Sequence, residues 1–131
     1  MGGNKNIRDL FQKEINIFSG EVEYIYKKII ITNHSIKRYK ERIHNNEDIY
    51  LALIIIEHDN IINFIEKKNI NKLEEGEFIE YIIKYKDIKF KIVIRKCKYN
   101  IDKYVIKTVK IYNYIDYKIH KYKSQSIFNI N

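Results

Sequence analysis

The apolar positions change their period along the chain. Over residues 4–18, Ile7, Leu10, Phe11, Ile15 and Phe18 recur at helical spacing, with Glu14 the exception, and predict a helix that Ser19-Gly20 stops. Over 21–32 the pattern alternates. Val22, Tyr24 and Tyr26 fall on one side and the run Ile29-Ile30-Ile31 follows, as in a strand broken at Lys27-Lys28. Thr32 or Asn33 is placed to cap a short helix over 34–44, whose stripe is Ile36, Tyr39 and Ile43. Asn45-Asn46 closes that helix and caps the next, over 47–58. Glu47 and Asp48 sit in its first turn, where the helix dipole favours them. Residues 51–56 leave almost no polar face, which predicts deep burial. Asp59-Asn60 is expected to end this helix. Residues 61–65 fit a strand or a further helical turn equally well, and 69–76 reads as a polar connection.

From residue 78 the period is two. Ile79, Tyr81, Ile83 and Tyr85 share a face, and Lys86-Asp87 makes a turn. Ile88, Phe90, Ile92 and Ile94 then point inward, with Lys89, Lys91, Val93 and Arg95 on the reverse. A second turn region covers 99–102. In a third strand over 103–114, Val105, Val109 and Ile111 are expected inward, with Tyr104, Ile106, Thr108, Lys110 and Tyr112 on the other face. The tail, 118–131, carries little pattern and is expected to fray. Helices first and an antiparallel meander afterwards make an α+β domain, with N-terminal helices packed on an antiparallel sheet. At 131 residues the chain is one domain. Residues 1–20 are its N-terminal helical extension and 28–114 its core.

Composition narrows the class. The 45% hydrophobic content is that of a globular chain. The longest apolar run, 50–56, is about a third of a membrane span, and the first residues lack the apolar core of a signal peptide. Cys97, the single cysteine, cannot form an internal disulfide, which suits a reducing compartment such as the cytosol; it reads as a small strand residue. Four scattered histidines and one cysteine make no metal site, and no cofactor motif is present, so neither metal nor cofactor is expected. His44, His58 and His120 read as surface or capping residues.

Charge is segregated. Residues 1–80 carry 12 Lys and Arg against 14 Asp and Glu, whereas residues 81–123 carry 13 against 3. A basic block of this kind attracts polyanions, nucleic acid above all. Lys89, Lys91, Arg95 and Lys110 are the candidates to track a phosphate backbone. Tyr104, Tyr112 and Tyr114 are candidates to stack on bases.

One stretch carries candidate chemistry. His34, Arg38 and Arg42 are spaced i, i+4, i+8, and at about 100° per residue they form a stripe beside the apolar face. Arginine presents a planar fork to phosphate oxygens. Histidine titrates near neutrality and can move a proton. Metal-free RNA cleavage needs both, because a base must take the 2′-hydroxyl proton while cations stabilise the charged phosphorane. The plain alternative is a solvated helix face on which Arg38 pairs with Glu41.

The order strand, Thr32-Asn33-His34, helix with Arg38 and Arg42, second helix, antiparallel strands, then Thr108-Val109-Lys110-Ile111-Tyr112 resembles the small RelE- and BrnT-like toxin domains of the barnase–EndoU–colicin–RelE ribonuclease superfamily. The resemblance covers roughly residues 28–114. It implies a ribonuclease-like sheet and a metal-independent endoribonuclease toxin that cleaves mRNA or tRNA in the bacterial cytosol. His34 would be general base or acid, Arg38 and Arg42 phosphate ligands, and Thr108 and Tyr112 substrate-positioning residues. It further implies an antitoxin or immunity protein as partner. The chain departs from the short members in its longer connection over 60–78 and its extra N-terminal element. Two other functions fit the residues: a non-catalytic nucleic-acid-binding module, and a phage-type inhibitor that grips an acidic protein.

Overall fold

The computed structural model describes residues 6–68, 78–100 and 102–112. The expectations for the polar connection, Tyr114, His120 and the tail lie outside them.

Six strands form one sheet: β1 (Gln12–Ile15), β2 (Val22–Tyr26), β3 (Ile29–Thr32), β4 (Ile79–Tyr85), β5 (Ile88–Lys96) and β6 (Tyr104–Ile111), in the order β1-β2-β3-β6-β5-β4. Helices α1 (Asn33–Arg42) and α2 (Glu47–Lys67) lie between β3 and β4 in sequence. The domain is α+β as expected, but the sheet is mixed. β3 pairs with β6 in parallel, Ile29 beside Tyr104 and Ile31 beside Ile106, and every other pairing is antiparallel. The parallel pair is possible because the two helices carry the chain across, as such a crossover requires.

The N-terminal helix is not formed. Asn6 caps a single 3₁₀ turn over Ile7–Leu10, and β1 follows. The spacing of Phe11 and Ile15 also suits a strand. The hairpin partner β2 decides the matter by pairing Gln12 with Ile25 and Ile15 with Val22. The reversal between them needs Gly20 at φ +74°, and Asn16 Oδ1 accepts from the Phe18 and Ser19 amides. The break at Lys27-Lys28 is the tight turn from β2 to β3, with Lys27 left-handed at φ 51°.

Helix α2 runs on through Asp59-Asn60 for 21 residues. Tyr50, Leu51, Ile54, His58, Ile61, Ile62 and Ile65 give it one long buried stripe, and this stripe overrides the local stop signal. Asn46 caps it by accepting from the Asp48 amide. The core lies between the helices and one face of the sheet. Tyr39 and Tyr50 stack at 4.8 Å, and Phe90 stands edge-on to both at 5.3 and 6.0 Å. Tyr50 Oη donates to Ser35 Oγ, which donates to the Thr32 carbonyl, so these two buried hydroxyls drain into main chain, whereas the buried Tyr39 hydroxyl has no partner among the described residues. On the opposite face, called the open face below, Ile25, Ile30, Cys97 and Val105 form a smaller apolar cluster.

Two polar residues fasten this framework. Thr32 Oγ1 accepts from the Ser35 amide as N-cap of α1 and donates to the Ile106 carbonyl at 2.8 Å. His58, expected at the surface or as a cap, is buried in the middle of α2. Its Nε2 accepts from the Lys28 amide, so Nδ1–H donates to Asp59 Oδ1 at 2.9 Å. This bond and an edge-to-face contact with Tyr26 pin the β2–β3 turn to α2.

Replacing Thr32 with valine keeps its shape but removes cap and cross-strand bond together. We expect a loss of about 1–2 kcal/mol in denaturant unfolding, with Thr32→Ser close to the parent. For His58→Phe, which takes the acceptor from the Lys28 amide, the expected loss is about 0.5–1.5 kcal/mol.

Candidate nucleic-acid interface

Burial assigns the faces of the sheet. Phe90, Ile92, Ile94, Tyr104, Ile106 and Val109 pack in the helix-side core. By alternation Lys89, Lys91, Val93 and Arg95 occupy the open face with Cys97. Directly paired residues share a face, so Lys110 beside Lys91, Thr108 beside Val93 and Val105 beside Arg95 lie there too. Glu80, Ile82 and Lys84 join them from β4, as partners of Val93, Lys91 and Lys89.

The inward set of β6 differs from that read in the sequence. Tyr104, Ile106 and Val109 are buried in the main core, whereas Val105 packs on the open face. The cause is a β-bulge: Ile94 pairs with Ile106 and Val93 with Thr108, which leaves Lys107 as an extra residue. The bulge reverses the parity of the strand. It sends Tyr104 and Ile106 inward while keeping Thr108 and Lys110 outward.

Lys107 is the residue that sequence reading missed. It is half-buried, and its ammonium is pushed below the usual lysine range, first by desolvation and then by Arg95, against a favourable pull from Glu23, with Lys98 adding least. Neither Arg95 nor Lys107 has a hydrogen-bond or ion-pair partner among the described residues. The sequence carried no signal for it, since Tyr104-Val105-Ile106 is apolar at every position and fits either parity.

The rest of the open face is also basic. Glu80 Oε2 accepts from Lys110 Nζ at 2.8 Å, and Glu80 Oε1 lies 3.8 Å from the buried ammonium of Lys91. Lys89 Nζ stands 4.5 Å over the Tyr112 ring, and Lys110 Nζ 5.7 Å over that of Phe78, which is 53% exposed. Tyr104, by contrast, is core.

The stripe on α1 is placed differently. Arg38 Nη1 donates to both oxygens of Glu41, at 2.7 and 2.9 Å. Arg42 Nη1 donates to the Val109 carbonyl at 2.8 Å. That bond serves β6 beyond the end of β3, where α1 stands in place of a neighbouring strand. His34 is exposed in the first turn of α1 and makes no hydrogen bond among the described residues. The structure therefore brings Thr108, Lys110, Lys89, Lys91 and Arg95 onto one surface, with Tyr112 beneath Lys89. It pairs Arg38 with Glu41 on the exposed side of α1 and holds Arg42 against the edge of β6. The main chains of the two groups meet at Thr32, whose Oγ1 also lies 3.4 Å from the Lys107 carbonyl, two residues before His34.

A shallow cavity of about 400 Å³ opens on the other flank of α1, between Lys37, Lys40, Asn45 and Glu47, and contains none of these residues. Among the described residues no three His, Cys, Asp or Glu side chains gather as a metal site, and no helix is long and apolar enough to cross a membrane. No protein-family model, curated protein or solved structure matches the chain.

The lowered proton affinity of Lys107 has a sign. The unfolded chain binds that proton more tightly, so stability rises with pH across the interval below 10.5, and the charged side chain is unfavourable at neutrality. We expect Lys107→Met to raise Tm at pH 7. The gain should shrink as pH approaches 10.5 and as salt screens Arg95 and Lys98.

Proposed function

We propose that this chain binds RNA on the open face of its sheet and cleaves it without a metal or cofactor, as a RelE/BrnT-like toxin domain. The observation that carries the reading is the crowding of Arg95, Lys98 and Lys107 beside Thr108. Burial, Arg95 and, least, Lys98 all work against the Lys107 ammonium, and Glu23 offsets them only in part. A phosphodiester counters these effects, and an accumulating negative charge on phosphorus counters them further. The run strand, two helices, three antiparallel strands fits the element order on which the resemblance rests.

The chemistry follows from the groups present. The 2′-oxygen forms a bond to phosphorus, its proton passes to a base, and the bond from phosphorus to the 5′-oxygen breaks as that oxygen takes a proton. His34, on the turn that leaves the same seam, is the base that takes the 2′-hydroxyl proton. The Lys107 ammonium, with its lowered proton affinity, is the group to protonate the leaving oxygen. Arg95 and Lys98 hold the phosphate and Thr108 orients it, while Arg38 and Arg42 act through the position of α1. A partner that neutralises this face would be acidic, as an antitoxin or immunity protein would be.

A second reading, non-catalytic RNA binding, is favoured by one observation: both arginines of the α1 stripe are engaged within the protein. The two readings separate when total RNA and tRNA are incubated in EDTA with the parent, Lys107→Met and His34→Ala. Cleavage by the parent that falls about 10²–10⁴-fold in each variant supports catalysis by these groups. Intact RNA with salt-sensitive binding leaves the binding module. Intact RNA without binding removes both readings.

A further inference from the structure

The two most exposed aromatic rings among the described residues lie against each other. Phe18 is 70% exposed and Tyr99 64%, yet the rings are stacked, with centroids 4.9 Å apart and planes 10° from parallel. Each ring covers one face of the other, so the surface left in water is that of the outer faces and the edges. The pair does not serve the core, because neither ring belongs to either apolar cluster.

Each ring is carried on a turn that holds it in place. Asn16 Oδ1 accepts from the Phe18 and Ser19 amides. Asn100, next to Tyr99, accepts from the Asp102 amide through Oδ1 and from the Lys103 amide through its carbonyl. The contact joins the β1–β2 turn to the β5–β6 connection, although β3 and β6 lie between β2 and β5 in the sheet. The hairpin therefore curls over one face, and the cluster that unites Ile25 of β2 with Cys97 puts the curl on the open face. Cations stand beside the rings there. Lys98 precedes Tyr99, and Lys98 and Arg95 both lie close enough to Lys107 to act on its ammonium.

An exposed ring face next to clustered cations is the arrangement by which single strands are held, with cations on the phosphates and a ring under the base. We infer that the outer face of Tyr99, backed by Phe18, is a stacking platform for an unpaired base of single-stranded RNA whose phosphate lies at Lys98, Arg95 and Lys107. This rests on the reading of the open face as an RNA surface and narrows its ligand to single-stranded segments. A base inside a duplex has both faces covered by its neighbours and cannot use the platform. Stacking accepts any base, since each has a π-face, so the pair selects strandedness and not sequence.

The test is Tyr99→Leu, which keeps an apolar side chain and removes the ring, beside Tyr99→Phe, which keeps the ring. Affinity for a labelled 2′-O-methyl oligouridine, which lacks the attacking hydroxyl, is measured by fluorescence anisotropy across a salt series. Affinities for an RNA duplex and for inorganic polyphosphate, a chain of phosphates without bases, are measured by competition. Thermal unfolding verifies that each variant is folded. Tyr99→Leu should bind the oligouridine about tenfold or more weakly, with an unchanged log–log salt slope because no phosphate contact is lost. Its affinities for duplex and polyphosphate should stay at the parent's values, and Tyr99→Phe should match the parent throughout. A second measurement needs no variant and decides alone if Tyr99→Leu does not fold: an oligonucleotide bearing 4-thiouridine is photocrosslinked to the parent and the adduct mapped by mass spectrometry, with Tyr99 or Phe18 as the expected position.

Oligouridine binding that is unchanged in folded Tyr99→Leu, an equal loss for polyphosphate, an equal loss in Tyr99→Phe, or adducts confined to other residues each overturns the platform and leaves the RNA reading standing. A parent that ignores the oligouridine, whether or not polyphosphate binds, removes the RNA reading and the platform with it.

Discussion

The parallel seam between β3 and β6 is the constraint on which the molecule depends. It joins two antiparallel halves, β1-β2-β3 and β6-β5-β4, into one sheet through three residue pairs. Such a short ladder is reinforced at both ends. Near one end the Tyr104 amide donates to the Lys28 carbonyl, while His58 secures the turn that bears Lys28. At the other Thr32 bonds across to Ile106 and caps α1 in the same position. Beyond the seam β6 has no strand on that side among the described residues, and Arg42 takes over with the Val109 carbonyl. The seam therefore sets where α1 starts, how it lies along β6, and where the bulge at Lys107 falls.

The electrostatics of the open face run against stability. Burying Lys91 carries a desolvation cost, with Glu80 as its ion-pair partner at 3.8 Å, and burial and Arg95 together disfavour the charged form of Lys107. The acidic residues lie largely elsewhere. Glu47 and Asp48 engage Arg8 at the start of α2, and Glu41 engages Arg38. Departures from local favourability that persist on one surface are typical of functional sites, where a ligand supplies the missing interaction. Helix α1 shows the opposite arrangement, with both arginines satisfied within the protein.

Much of this was legible in the chain, for identifiable reasons. The inward and outward sets of β5 follow from strict alternation over 88–95, and the β2–β3 turn from two lysines that interrupt an apolar run. Caps at Thr32 and Asn46 were readable because their side chains act within two or three residues. The failures are non-local. Residues 12–15 suit two periods, and only the pairing with β2 decides between them. Asp59-Asn60 stops a helix in isolation, but not one with a buried stripe on both sides of it. In β6 the sequence Tyr104-Val105-Ile106 is apolar at every position, so parity could not be read until the bulge was seen, and with it the position of Lys107. The site suffered for the same reason. Spacing placed His34, Arg38 and Arg42 on one stripe, but their partners, Glu41 excepted, come from strands far away in sequence.

The seam also has a consequence in time. Thr32 and Ile106 are 74 residues apart along the chain. Loop closure over such a separation is slow compared with helix or hairpin formation. During synthesis the β1-β2-β3 meander and both helices emerge while the partner of β3 is still unmade. Until β6 is released, β3 exposes a bare parallel edge of Ile29, Ile30 and Ile31, a segment of the kind that chaperones shield. The basic surface, made of β4 to β6 and squared up only when β6 docks, is the last of the described elements to exist. A nascent chain is therefore without its cationic face for most of its time on the ribosome, itself a body of RNA.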